Sequence, residues 1–187
     1  MKALVLNGAR DAHDMTDGVS QVVASILKDG GWETDRVTLY KTEIADCTGC
    51  GGCALKTPGV CVLPDAANEI MRMQVQSDLL VLLTPLTFGG FSSQLKKALD
   101  RMMGVCLPIY RLYRKEIHHA LRYREQARLL GISVASAYDE ASASTFDLLI
   151  KRTALNLHSP VYASGVVVKG HDIHRECGAL IARMEVR

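Results

Sequence analysis

Residues 79–101 read LLVLLTPLTFGGFSSQLKKALDR, and this stretch decides the fold. Its first six residues form the most apolar run in the chain, the pattern of a strand buried on both faces of a sheet. Pro85 stops the run. Ser92 or Ser93 then caps a helix predicted to reach residue 103, with Leu95, Leu99 and Met102 on one face. The turn between strand and helix sets Phe88 beside the paired Gly89 and Gly90, which lets backbone approach a planar ring while the aromatic shields it. A plain turn with a core phenylalanine is the alternative.

Working outward, residues 2–6 (KALVL) make a first short strand closed by Asn7-Gly8. From Thr16 the apolar positions Val19, Val22, Val23, Ile26 and Leu27 recur at helical spacing until Gly30-Gly31. Residues 34–40 (TDRVTLY) read as a second strand, residues 46–64 as an aperiodic loop rich in Gly, Pro and Cys, and Asp65 as the cap of a helix ending near residue 76. Downstream, residues 107–126 read as an irregular basic excursion. Residues 129–135 form a fourth strand, 144–157 a helix stopped at Ser159-Pro160, 161–168 a fifth strand, and 173–184 a closing helix. There is no internal repeat.

Strands alternating with helices imply right-handed crossovers and helices on both faces of a parallel sheet. The expected architecture is an α/β three-layer sandwich with five strands in the order 2-1-3-4-5. Ligands of such sheets sit beyond the carboxyl ends of the strands, where the strand order reverses beside the first and third. The loops after the first, third and fourth strands are therefore the ones that matter.

The chain has 187 residues, the length of one domain spanning 1–187, with the cysteine-rich loop at 46–64 and the basic excursion at about 105–126 as its additions. Lys+Arg total 22 against 20 Asp+Glu, a net charge of +2, which gives no electrostatic reason to expect nucleic acid or an anionic membrane as partner. No apolar stretch reaches the ~18 residues of a membrane span. Four of the six cysteines crowd into residues 47–61, unlike a disulfide-stapled mini-domain, so a reducing, cytoplasmic setting is expected.

The loop after the first strand, NGARDAHDMT (7–16), ends at a helix start whose free N–H groups suit a phosphate monoester. Asp11 and Asp14 would repel such a phosphate unless they turn away, and an ordinary strand-to-helix turn is the competing reading. The cysteines form C-x2-C-x2-C-x7-C at Cys47, Cys50, Cys53 and Cys61. Two successive x2 spacings let one compact loop present three thiolates to an iron-sulfur cubane while a fourth arrives later. Zinc sites more often pair two C-x2-C knuckles across a longer span, and reduced or redox-active thiols are the remaining alternative. Cys106 and Cys177 stand alone as small buried hydrophobes. His118 and His119 with Arg111, Arg114, Lys115, Arg122 and Arg124 read as a solvated or subunit-contact face, or as a lid for a dinucleotide phosphate. His158 reads as structural.

The run TPLTFGGFSSQLKKALDRM (84–102) resembles the second flavin-binding segment of the NAD(P)H-dependent FMN reductase family, including its iron-sulfur flavoprotein branch. The cysteine segment and its place after the second strand are similar to the same family. Thr87 stands where members commonly have tyrosine; Ala9 and Met15 stand where they have serine and asparagine. The resemblance implies a flavodoxin-like fold. It implies FMN held by Gly8, Ala9, Arg10 and Thr16 at the phosphate, by Pro85, Leu86, Thr87, Phe88 and Gly89 at the ring, and by Ala135, Ser136 and Tyr138 on the far side.

The function so implied is that of an FMN-dependent oxidoreductase, with NAD(P)H as cosubstrate or a ferredoxin-like donor, passing electrons to a quinone, free flavin or other small acceptor. No side-chain acid or base is required. A four-iron cluster on the four cysteines would serve as a one-electron relay. The resemblance also implies a homodimer or homotetramer. The alternatives are a metal-binding or interaction module that has lost tight FMN binding, and a thiol redox sensor.

Overall fold

The computed structural model describes residues 1–123 and 126–185. Its elements in chain order are β1 (Lys2–Asn7), α1 (Met15–Asp29), β2 (Glu33–Thr38), the single turn α2 (Gly52–Leu55), α3 (Ala67–Val75), β3 (Leu79–Pro85), α4 (Ser93–Asp100), β4 (Cys106–Tyr113), β5 (Glu116–Leu121), β6 (Arg128–Ala135), α5 (Glu140–Asn156), β7 (Tyr162–Val168) and α6 (Ile173–Glu185). Five strands form one parallel sheet in the order β2-β1-β3-β6-β7. That is the expected 2-1-3-4-5 order, with β4 and β5 as a separate antiparallel pair inserted before the fourth sheet strand.

The two faces of the sheet divide the strand residues by the period of two. Ala3, Val5, Leu79, Val81, Leu83, Leu130 and Ile132 pack with Val19, Val23 and Leu27 of α1 and Cys177 and Ile181 of α6. Leu4, Leu6, Leu80, Leu82 and Leu129 pack on the opposite face with Ile70 of α3, Leu95 and Ala98 of α4 and Phe146 and Ile150 of α5. β3 is buried along its whole length and lies between β1 and β6, with Leu4 opposite Leu80 and Leu82 opposite Gly131. Each fully buried leucine contributes about 1.5–3 kcal/mol, so this strand anchors the domain.

Several boundaries move for local reasons. β2 ends at Thr38 and gives way to a tight turn at Leu39–Lys41. α4 ends at Asp100, and Arg101–Val105 tightens into a 3-10 turn. α5 starts at Glu140, four residues before the predicted Ser144, because Asp139 is its cap and accepts a hydrogen bond from Ser142 N at 2.8 Å.

Residues 107–126 are not irregular: most of them form the β4–β5 hairpin, with Leu112 opposite Ile117 and Tyr113 opposite Glu116. Its two-residue turn puts Arg114 at φ 46° and Lys115 at φ 68°, the left-handed pair of a type I′ turn built without the Asn-Gly that usually announces one. Tertiary contacts hold it. Tyr113 stacks on His158 at 3.9 Å and 5°, His118 Nδ1 pairs with Asn156 Oδ1 at 3.1 Å, and Arg152 grips both Glu116 oxygens at 2.8 and 2.7 Å. The Arg152 guanidinium, helped by His118, pulls the Glu116 carboxyl down to about 2. Of the predicted basic face, Arg111, Arg114 and Lys115 are exposed, while His118 is buried in the hairpin's contact with α5. Arg124 lies outside the described residues.

Candidate functional site

The loops after β1, β3, β6 and β7 meet at the carboxyl edge of the sheet, and hydrogen bonds stitch them together. Gly8 N donates to Leu83 O at 2.7 Å, and Gly8 O accepts from Ser92 Oγ at 2.6 Å. Ser92 N donates to Thr84 Oγ1 at 2.8 Å, Leu86 N to Val134 O at 2.8 Å, and Lys169 N to Ala135 O at 2.9 Å. A Cβ on Gly8 would stand 2.8 Å from Leu83 O and 2.9 Å from Ser92 Oγ, so only glycine permits this crossing. Gly8→Ala is expected to destabilise the domain by about 1–3 kcal/mol, as overpacking does, measured by urea unfolding; an unchanged midpoint would refute the crossing's importance.

Between the loops lies a groove of about 390 Å³. Pro85, Leu86, Val134, Ala135 and Met15 make its apolar part, and Ser136, Ser142, Asp14, Asp139, Arg10, His13 and Lys169 its polar part. Of the predicted flavin residues, Arg10, Pro85, Leu86, Ala135 and Ser136 line it. Gly8 and Ala9 in the loop after β1 and Thr16 in the first turn of α1 are buried. Thr87 and Tyr138 are exposed outside the lining, and the Tyr138 hydroxyl donates to Glu140 Oε2 at 2.8 Å. Phe88 stands 96% exposed at φ 51°, an uncommon backbone for a bulky residue, at the tip of a turn whose Gly89 packs against Thr145 of α5. Lys169, Asp139 and Ser142 are lining residues that local patterns missed. The strand order was their only signal, since it places the loops after β6 and β7 at this edge.

The apolar part fits an isoalloxazine ring. The phosphate end of the groove is different. Asp14 turns inward, and it and the exposed Asp11 accept four of the loop's own N–H groups, so Asp14 already occupies much of the cradle that a phosphate would use. Burial pushes the Asp14 carboxyl up, but the bonds from Thr16 and Arg10 together hold it below the usual carboxylate range.

A second cavity of about 130 Å³ is lined by Cys47, Cys50, Cys53 and Cys61 together with Leu63 and Arg101. All four thiols are free, the first two exposed and the others half-buried. Gly49 and Gly51, at φ 66° and 68°, fold the loop back on itself. The Cys50 thiol is held below its usual range by Gly52 N–H and by Thr48, whereas burial and the nearby Cys61 push Cys53 up. Asn68 fixes the far end, accepting from Cys61 N at 2.7 Å and donating to Cys61 O and Leu63 O at 3.1 Å each. Among the described residues, no three His, Cys, Asp or Glu groups converge closely enough to hold a single metal ion. Four thiols around one cavity, three of them at C-x2-C-x2-C spacing, are a donor set of the kind that iron-sulfur clusters use.

Arg101 was not predicted as a site residue, yet it braces this cavity. Its side chain is 1% exposed, and it donates to Ala45 O at 2.7 Å and to the two Asp65 oxygens at 2.7 and 3.0 Å. Asp65 in turn accepts from Ala45 N at 2.9 Å and from Ala67 N at 3.0 Å. The buried thiols elsewhere take no part: burial pushes Cys177 up to about 12 and also raises Cys106.

The model of the NADPH-dependent FMN reductase family matches residues 1–117. An iron-sulfur flavoprotein of Archaeoglobus fulgidus is 30% identical over 103 residues, covering 55% of this chain and 46% of its own length. One of Methanocaldococcus jannaschii is 31% identical over 101 residues, covering 54% and 51%. One of Methanosarcina thermophila is 24% identical over 174 residues, covering 93% and 80%. The chain thus spans about half the length of the first two relatives. Among solved structures, an NAD(P)H:quinone oxidoreductase from Methanothermobacter marburgensis superposes with a TM-score of 0.69 at 16% identity, covering 98% of this chain and 95% of that one. An FMN-dependent NADH-azoreductase from Bacillus anthracis, solved in complex with FMN, superposes at 0.68 and 14% identity, covering 97% of each. These likenesses establish the flavodoxin-like fold. No helix among the described residues is long and apolar enough to cross a membrane.

Proposed function

Because this chain belongs to the NADPH-dependent FMN reductase family, we propose that it is an FMN-dependent oxidoreductase whose flavin ring lies in the groove at the carboxyl edge of the sheet. The observation that carries this reading is the apolar surface of Pro85, Leu86, Val134 and Ala135 among hydrogen-bonded loops at the carboxyl edge. FMN supplies the hydride and single-electron chemistry when bound. The protein's part is to bind and orient. Pro85, Leu86 and Ala135 offer an apolar surface to the ring and Ser136 borders it, while Thr87, Phe88, Gly89 and Tyr138, outside the groove's lining, would meet the ring only at its exposed edge. Gly8 and Ala9 build the loop after β1 and Thr16 the first turn of α1, with Arg10 lining the groove. No acid or base among these side chains is needed, and NAD(P)H or a ferredoxin-like protein supplies electrons for a small acceptor.

The test is a titration of the purified chain with FMN, read by flavin fluorescence. Saturable quenching is expected, and Ala135→Trp, which fills the groove, should weaken it by at least about tenfold. Absence of quenching in the unmodified chain would overturn the reading.

A second assignment concerns the cysteine cavity. Four free thiols around one space, in a chain similar to proteins named iron-sulfur flavoproteins, support a four-iron cluster on Cys47, Cys50, Cys53 and Cys61. Anaerobic protein should carry about four iron and four sulfide per chain, and Cys53→Ser should remove most of both. Zinc, or a disulfide that forms and reduces reversibly, would instead favour the metal-module or thiol-sensor alternatives. Free thiols support a reducing cytoplasm. The outer face of the hairpin, exposing Leu112 and Ile117, supports association with further copies of the chain.

A further inference from the structure

We infer that Asp14 sets the flavin specificity of this chain: its carboxylate fills the phosphate position of the loop after β1, so the groove takes a flavin by its ring and ribityl chain and barely distinguishes FMN from riboflavin. This rests on the flavin reading of the groove and goes further, to which flavin the groove selects.

The hydrogen bonds of the loop carry the argument. Arg10 N and Nε donate to Asp14 Oδ2 at 3.2 and 2.9 Å, and Thr16 N donates to Asp14 Oδ1 at 3.0 Å. His13 N and Asp14 N donate to Asp11 Oδ1 at 2.8 and 3.1 Å, and Ala9 N donates to Asn7 Oδ1 at 3.0 Å. Four backbone donors of the loop and first helical turn, at Arg10, His13, Asp14 and Thr16, therefore already serve carboxylates of the same loop, and the favourable interaction of an anion with the helix N-terminus is already made by Asp14. The Asp14 side chain is only 5% exposed, so it occupies the interior of the loop rather than its rim.

A phosphate dianion entering that position would have to displace one carboxylate and remain beside a second. Like charges so close oppose each other strongly once water is excluded. Nothing else in the loop compensates. Ala9 has no hydroxyl, and Met15 turns an apolar side chain toward the core. The basic side chains beside the groove are the exposed Arg10, His13 and Lys169, and the Arg10 Nε already serves Asp14. Exposed pairs of that kind contribute little and are screened by salt. Thr16 Oγ1 is buried without a hydrogen-bond partner, a donor that an entering phosphate could engage if Asp14 were gone.

The test compares FMN with riboflavin by fluorescence titration of the full chain, beside Asp14→Ser, which keeps a helix cap, and Asp14→Asn, which removes the charge alone. The unmodified chain should bind the two flavins within about threefold of each other, and Asp14→Ser should raise the preference for FMN by about tenfold or more, as a regained charged hydrogen bond would. Asp14→Asn should move the preference in the same direction, which keeps the inference testable if the serine variant folds poorly. FMN binding about a hundredfold tighter than riboflavin in the unmodified chain, or a preference unmoved by either variant, would overturn the inference and leave the flavin assignment standing. Failure to bind either flavin would remove both.

Discussion

Replacing Arg101 with methionine is expected to lower the unfolding free energy by about 3–5 kcal/mol, the range for breaking a buried ion pair from one side. The guanidinium donates to both oxygens of Asp65 and to Ala45 O from a side chain that is 1% exposed. Methionine fills the volume but leaves the Asp65 carboxylate facing a low-dielectric space with only its backbone donors. Burial pulls the Arg101 group down, but Asp65 and the adjacent Cys61 more than reverse this and hold it above its usual value. Urea unfolding reads the loss, and a change under about 1 kcal/mol would show that the pair is dispensable. Arg101→Lys should recover only part of the stability, because one ammonium cannot reproduce the planar fork. Converting Asp65 to leucine as well should also recover only part, since Asp65 alone accepts from Ala45 N and Ala67 N. These bonds clamp the cysteine loop at residues 45 and 65, so in the same variants any iron held by the proposed cluster site should fall in step with stability.

The pair also gives a sign for acid. Burial raises the Asp65 carboxyl, but Arg101 and the Ala45 and Ala67 amides lower it further, leaving the folded-state value below that of the unfolded chain. Its contribution is then complete above the unfolded carboxylate value of about 3.9 and is lost as pH falls through the depressed folded value. Arg101→Met should flatten that part of the stability profile.

Phe146→Ala is expected to cost about 3–5 kcal/mol, the range for emptying a buried aromatic site. Phe146 is 1% exposed and meets Phe91 edge-on, with ring centroids 6.2 Å apart. It belongs to the cluster that joins Leu82 of β3, Leu95 of α4 and Ile150 of α5, elements that cannot close around the void without breaking sheet or helix hydrogen bonds. Phe91 sits in the turn beside the proposed flavin groove, so the void loosens that turn and FMN binding should weaken together with stability. Phe146→Leu should cost about 1–2 kcal/mol and preserve binding. A folded Phe146→Ala protein with an unshifted denaturation midpoint would show that the turn and α5 are held by other contacts.

Much of the architecture is legible in the order of residues alone. The run at 79–84, the first strand at 2–6 and the helical spacing from Val19 to Leu27 lie within windows of a few residues, where side-chain period and turn chemistry act directly. The strand order comes from alternation and handedness. The hairpin escapes such reading because its turn is Arg114-Lys115, and what stabilises it is His158, Asn156 and Arg152, far along the chain.

The sequence by itself determined the five-stranded α/β plan, the edge at which a ligand must sit, the spacing of the four cysteines and the doubtful character of a phosphate loop containing Asp11 and Asp14. Only the tertiary structure decided that Asp14 turns inward while Asp11 stays exposed, that Lys169 reaches the groove, and that Arg101 closes on Asp65 from 36 positions away. The physical reason is range. Periodicity and turn preference are properties of neighbouring residues, whereas the partner of a buried charge and the occupant of a ring of N–H donors are settled by which elements packing brings together and which donors are left free once they have met.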